Sequence, residues 1–277
     1  MTQIPFLQQI VQDIDLNEQD LRSLKDHCYV FPTRRAAVYF KKYLTGRFEG
    51  RHFWAPQICS IVEFIELLTD RVILNPVTLV FELFDIYKNY EPEADFDSFY
   101  PWGQIILKDF DEIDKYLVDA PKLFSIIKDY KTLEEEFALP LEQFEFLKQF
   151  WNLPKTNETE ANKESKVKQE FIRIWEILGK VYADFEQSLT QNHAAYEGMA
   201  QKLVLQQLKN GALTPPFTKI VWAGFNALTA AEKGIAEHLC NLGNTTIYWD
   251  TDAYYMNDEK QEAGKFMRRY FTQWQNH

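Results

Sequence analysis

The chain has 277 residues and a mass of 32.8 kDa, enough for one large domain or two ordinary ones, and its 46% apolar content supports a packed core. Thirty Lys and Arg against 41 Asp and Glu give a net charge of −11. That balance excludes a nucleic-acid binder that works through the long-range field of the whole molecule, so any such contact has to come from a local patch.

Aromatic residues make up 16% of the chain and glycines number only 10, which favours long packed helices over a loop-rich or barrel-like chain. In chain order, apolar periodicity predicts a helix around Pro5–Ile14, a polar stretch, a strand around Cys28–Phe31 and a helix around Arg34–Arg47. The segment HFWAPQICS holds a further strand. In SIVEFIELL, Ser60 can cap a helix and Glu63, three residues on, can reach back to it, which is a capping box. From Pro76 to Gly211 the spacing is helical almost throughout, and no strand signal interrupts it. Within this region the polar, charged segment Asn152–Lys166 is expected to be a mobile loop between helices. After TPP, KIVWAGF reads as a buried strand. Thr229 and Glu232 form a second capping box, AAEKGIAEHLCNL is a helix stopped by Gly243, and TTIYWDTD is another strand. A strand, helix and strand this close together suggest a parallel crossover. The expected architecture is an α/β sheet domain made from residues 1–75 and 212–277, with a helical domain inserted over 76–211.

Motifs for common chemistries are missing. A phosphate-binding P-loop needs G-x-x-x-x-G-K-[ST], because successive backbone N–H groups cradle the phosphates while Lys and the hydroxyl hold the terminal phosphate and magnesium. Neither Gly179-Lys180 nor Gly264-Lys265 has a glycine five positions earlier, and neither is followed by Ser or Thr. The five histidines show no metal-site spacing. Cys28, Cys59 and Cys240 are far apart and sit in apolar runs, so they are expected to be buried thiols in a reducing compartment. In KDFDEIDK, Asp111 and Asp114 share a helical face, as do Asp109 and Glu112, and a solvated face or an interdomain surface is the favoured reading over a metal pair. The D/E-x-K triplets at Asp129, Glu164 and Asp258 fall in helical or polar segments, whereas a nuclease needs them on strands.

The stretch YVFPTRRAAVYFKKYL is the anomaly. Thr33 can cap the helix, which leaves Arg34 and Arg35 in its first turn, where the macrodipole makes a cation unfavourable by about 0.3–1 kcal/mol each unless an anion is near. The anion can be a phosphate backbone, or it can be carboxylates of this chain with the arginine stems laid on the surface.

The order VFPTRRAAVYFKKYL, APQICSIVEFIELL, AAYEGMAQKLV, KIVWAGFNALTAAEKGIAEHL and TTIYWDTDAYY resembles the N-terminal region of AddB/RexB-like proteins, across essentially the whole chain. These are subunits of bacterial double-strand-break repair complexes that join a degenerate superfamily I helicase region to a C-terminal PD-(D/E)XK nuclease. The resemblance implies a P-loop-NTPase-like α/β fold with a large all-α insertion. It places Phe31–Ala36 at helicase motif Ia, with Thr33, Arg34 and Arg35 facing single-stranded DNA, and Ser60–Phe64, including Glu63, at motif Ib. Tyr196, Glu197 and Gly198 correspond to the turn before motif II. Motif II itself, where an active helicase carries Asp-Glu for magnesium, is here Ala223-Gly224. The expected function is a non-catalytic module with no cofactor, holding DNA and docking an AddA-like helicase/nuclease subunit. The chain is expected to be cytoplasmic, with no membrane partner and no signal segment, and to be the N-terminal fragment of a longer nuclease. An interaction scaffold without DNA binding and a divergent ATPase are the alternative readings.

Overall fold

The computed structural model describes residues 4–14, 18–128, 177–258 and 260–273. Two compact units divide the chain: Met1–Ile73 with Glu197–His277, and Leu74–Tyr196. The return to the first unit therefore comes at Glu197 rather than after Gly211. Helical periodicity shows that a segment is a helix but not which core it joins.

In the first unit, the helices Phe6–Gln12 (α1) and Glu18–Ser23 (α2) lead into the strand His27–Phe31 (β1). Arg34–Arg47 (α3) follows, then Gln57–Ser60 (β2) and Ile61–Leu68 (α4). Two further strands, Lys219–Ala223 (β3) and Thr245–Tyr248 (β4), belong to the same sheet, and a two-residue strand, Val72–Ile73, lies outside it. Strands β1 to β4 form one parallel sheet in the order β2-β1-β3-β4. Its register sets Val30 beside Cys59 on one side and Trp222 on the other. Parallel strands buried on both faces read as continuous apolar runs, which is why CYVF and IVWA lack polar alternation.

Side-chain alternation divides the core between the two faces. Tyr29, Phe31, Ile58, Val221 and Ala223 pack with Ile10 and Val11 of α1 and Phe40 and Leu44 of α3. On the opposite face, Trp222 meets Phe64 of α4 edge to face, with ring centroids 5.9 Å apart.

The described residues of the second unit are mainly helical. Pro76–Tyr87 (α5) opens on an Asn75 cap with Pro at its first position, and Phe96–Lys115 (α6) opens on Asp95, whose carboxylate accepts from the Ser98 N–H at 3.0 Å. Ala120–Lys128 (α7) and the helical residues 177–191 (α8) complete its described helices. Phe110, Phe124, Tyr182, Phe185 and Tyr196 form its aromatic core. Ala194–Ala195 is a two-residue strand in a region with no strand signal, too short for any alternation to show. The segment Asn152–Lys166 and the triplets at Asp129 and Glu164 lie outside the described residues, as does Glu259 of the third triplet.

The first unit then resumes with Glu197–Lys209 (α9), which packs on α4 and on Ala230–Asn241 (α10). Gly243 ends α10 with a φ of +80°, a left-handed position that glycine adopts without strain. Ala253–Asn257 (α11) and Lys265–Gln273 (α12) close the described chain. Among the described residues no helix is long and apolar enough to cross a membrane. The chain is thus an α/β protein with a four-stranded parallel sheet and many helices among the described residues.

Candidate nucleic-acid interface

A parallel sheet delivers the ends of all its strands, and the starts of the helices that follow, to one edge. The chain runs from β1 out to β2 and later returns to the other side of β1 as β3, so the strand order reverses between β1 and β3. Ligands of open α/β sheets bind in the crevice beyond the strand ends at such a reversal. At this edge β1 leads through Thr33 into Arg34 and Arg35 of α3, β2 ends at Ser60 with Glu63 in the first turn of α4, and β3 ends at Ala223 before Gly224.

Thr33 has extended backbone angles, and its hydroxyl oxygen accepts from the Ala36 N–H at 3.3 Å, so it is the N-cap of α3. At the end of β2, Ser60 and Glu63 form the full capping box. The Glu63 N–H donates to Ser60 Oγ at 3.4 Å, while Glu63 Oε2 accepts from the Ser60 N–H at 2.8 Å and from its hydroxyl at 2.9 Å. The other carboxylate oxygen, Oε1, lies 2.9 Å from Arg34 Nε. Glu63 therefore caps one helix and pairs with the first residue of another. The backbone hydrogen bond from Ser60, opposed by some burial and reinforced by the Ser60 hydroxyl and the Arg34 guanidinium, holds its carboxyl below the usual carboxylate range.

The two arginines thus differ. Arg34 answers the carboxylate alternative raised by the sequence, although its side chain stays 75% exposed. Arg35 is exposed and forms no ion pair among the described residues. A further basic side chain of α3, Arg47, points inward and donates to the carbonyls of Val11 and Ile14. It satisfies acceptors at the end of α1, where a cation also suits the helix dipole.

Ala223 is fully buried at the end of β3. Gly224 turns away with a φ of +76°, and its N–H donates to the Tyr248 carbonyl at 3.1 Å. The position expected to correspond to motif II is thus a strand end and a turn glycine, with no carboxylate. Beyond it, Thr229 and Glu232 form the second capping box, with the Thr229 N–H donating to Glu232 Oε2 at 2.9 Å. The Gly-Lys pairs are also explained by packing. Gly179 lies within α8 against the Phe124 side chain, and a side chain at Gly264 would collide with the Tyr255 carbonyl.

Sequence reasoning missed two buried polar groups. Gln201, fully buried on α9, donates to Glu197 Oε1 at 3.3 Å and accepts from the Thr229 hydroxyl at 3.4 Å, which ties α9 to the start of α10. Its polarity within AQKLVL was the available signal. Asp114 overturns the expectation of a solvated acidic face: it is 1% exposed, and the hydroxyls of Tyr182, at 2.7 Å, and Tyr196 donate to it. Burial, then the Asp114 charge, push the Tyr196 phenol well up, so it remains a donor. Its helical neighbour Asp111 pairs with Lys115 at 2.8 Å. Of the proposed turn Tyr196-Glu197-Gly198, Tyr196 belongs to this aromatic core while Glu197 and Gly198 open α9.

No family model matches this chain, and no curated protein matches it. The three cysteines are free and buried. Cys28 and Cys59 lie 3.8 Å apart, and the hydrogen bond between them, then burial, drives the Cys28 pKa far up, leaving a protonated, unreactive thiol. Among the described residues no three His, Cys, Asp or Glu side chains are grouped to hold a metal.

Proposed function

We propose that the chain is a non-catalytic, helicase-like module that contacts single-stranded DNA and docks an AddA-like helicase/nuclease subunit in the processing of double-strand breaks, within a longer cytoplasmic protein of the AddB/RexB type. On this reading the sheet unit is a P-loop-NTPase-like domain of the superfamily I helicase kind, and the helical unit is its insertion. The observation that carries the proposal is the meeting of Thr33, Arg34 and Arg35 with Ser60 and Glu63 at one sheet edge, beside the reversal in strand order. The motif II position without a carboxylate supports a module that positions DNA rather than one that hydrolyses ATP.

The test is the binding of single-stranded DNA by the protein over a salt series. Arg34→Ala/Arg35→Ala is expected to lower the slope of log affinity against log salt by about 1.4, two phosphate contacts at about 0.7 each on a single strand. An unchanged slope removes both arginines from the interface. The scaffold reading is favoured by one observation, the stack of the half-exposed Phe81 on Phe96 at 4.5 Å in the helical unit. Absence of DNA binding at low salt, together with capture of the partner subunit, is the outcome that selects it.

A further inference from the structure

Helix α3 is the most one-sided charged element in the described sheet unit. Its sequence RRAAVYFKKYLTGR holds five basic residues and no acidic one, in a chain with 41 Asp and Glu. Arg47 is used inside the fold and Arg34 pairs with Glu63, whereas Arg35, Lys41 and Lys42 are exposed and form no ion pair among the described residues. In a chain so rich in carboxylates, this leaves a local positive strip where the long-range field is negative.

The strip also carries apolar surface. Val38 is 63% exposed and Tyr39 50% exposed. Arg35, Val38, Tyr39 and Lys42 follow the spacing i, i+3, i+4, i+7, so they lie along one helix face, with Lys41 beside Val38. At 1.5 Å per residue, Arg35 and Lys42 stand about 10 Å apart along the axis with the aromatic ring between them. Cations at both ends with an accessible ring in the middle suit a chain of phosphates whose unpaired bases can stack, which is how proteins hold single strands without reading their sequence. A duplex does not offer free base faces.

From this we infer that the outer face of α3, formed by Arg35, Val38, Tyr39, Lys41 and Lys42, is a track along which single-stranded DNA runs away from the sheet edge. This rests on the reading of the site as a DNA interface and extends it: the contact continues down the helix and uses base stacking as well as charge.

Labelled oligo(dT), titrated with the full chain over a salt series, tests the track. Gln and Ala are good helix formers, so these surface changes leave α3 folded, which circular dichroism checks. Lys41→Gln/Lys42→Gln is expected to lower the salt slope by about 1.4. Tyr39→Ala is expected to weaken binding about tenfold at an unchanged slope, and Tyr39→Phe to bind like the wild type, because stacking is not ionic. A strand of abasic sites should then bind wild type and Tyr39→Ala equally.

If Arg34→Ala/Arg35→Ala loses affinity while the Lys and Tyr variants bind as wild type does, the track is overturned and the edge contact stands. If the wild-type chain binds no single strand at low salt, the reading of the site fails and the track with it. A dimer in sedimentation that Lys41→Glu/Lys42→Glu converts to monomer makes this face a self-interface and also overturns the track.

Discussion

Glu63 shows how one side chain can decide what its neighbours are able to do. Its Oε2 is committed to the cap of α4 and its Oε1 to Arg34, so the carboxylate joins the helices that follow adjacent strands. Glu63→Gln separates these tasks. A glutamine oxygen still accepts the Ser60 N–H, since capping boxes use Glu or Gln alike, but the charge facing Arg34 is gone. At neutral pH the variant is expected to be less stable by no more than about 1 kcal/mol, the ordinary worth of an exposed ion pair. The pH dependence is more informative. The pKa of Glu63 is lower in the folded chain than in the unfolded one, so its ionised form contributes stability that is complete above the unfolded value of about 4.3 and is lost as pH falls through the folded value. Chemical denaturation of both proteins across acid pH should show the wild type's advantage shrinking towards zero on acidification. An advantage that stays constant into strong acid removes the ionised carboxylate from the account. Asp114 shows the opposite economy, a carboxylate taken out of water and satisfied by two phenols, which specifies how α6 meets α8 and the chain before α9.

At the scale of elements, helix ends account for much of what was legible. Ser60 and Thr229 are legible from the three-residue spacing to Glu63 and Glu232, Thr33 from its place before the first helical residues, and each caps the helix expected of it. The four strands of the parallel sheet fall where strands are expected, whereas the two-residue strands Val72–Ile73 and Ala194–Ala195 are too short to leave a pattern, and α3 and β1 lie within a residue of their expected bounds. Two glycines show how context sets the meaning of one residue type. Gly46 lies inside α3, and a methyl group added there would meet nothing within 4 Å, so Gly46→Ala is expected to stabilise the protein by about 0.5–1 kcal/mol through backbone entropy. Gly243 has equally open space but a φ of +80°, so Gly243→Ala is expected to destabilise by about 1–2 kcal/mol. Thermal or urea unfolding of the two variants checks the opposed signs; shifts in one direction for both would mean that local conformation is not what distinguishes them. What stayed hidden was partnership. A pattern three or four residues apart places Asp114 on a helix face, but only chain folding from far away brings two tyrosines to it. Likewise the Arg34 to Glu63 pair depends on β1 and β2 lying side by side, and no local spacing encodes that.

For the whole molecule, the sheet's order imposes a sequence of events on folding. Strand β1 has β2 as a near neighbour in sequence, but its other partner, β3, arrives only after the helical unit has been traversed. The first contact of that pairing, the Thr218 N–H on the Asp26 carbonyl at 2.8 Å, joins residues 192 apart. Closing so long a loop costs chain entropy before any strand contact offsets it, and non-local parallel pairing is slow for that reason. The contact of α5 with α6, by contrast, joins helices separated by a short connection, with Phe84 and Phe99 at 5.1 Å and Phe81 stacked on Phe96. Such contacts can form while the sheet is still open, and folding α5 and α6 shortens the loop that β1 and β3 must close. Pulsed hydrogen exchange during refolding is therefore expected to protect amides of α5 and α6 before those of β1 and β3, with β2 joining β1 no later than β3 does. The Arg34 to Glu63 pair needs only the early β1 and β2 half of the sheet, so Glu63→Gln should leave the slow β1 and β3 phase unchanged. Simultaneous protection of α5, α6, β1 and β3 in a single phase would mean that the two units fold as one cooperative body, and the early-helix order would be wrong.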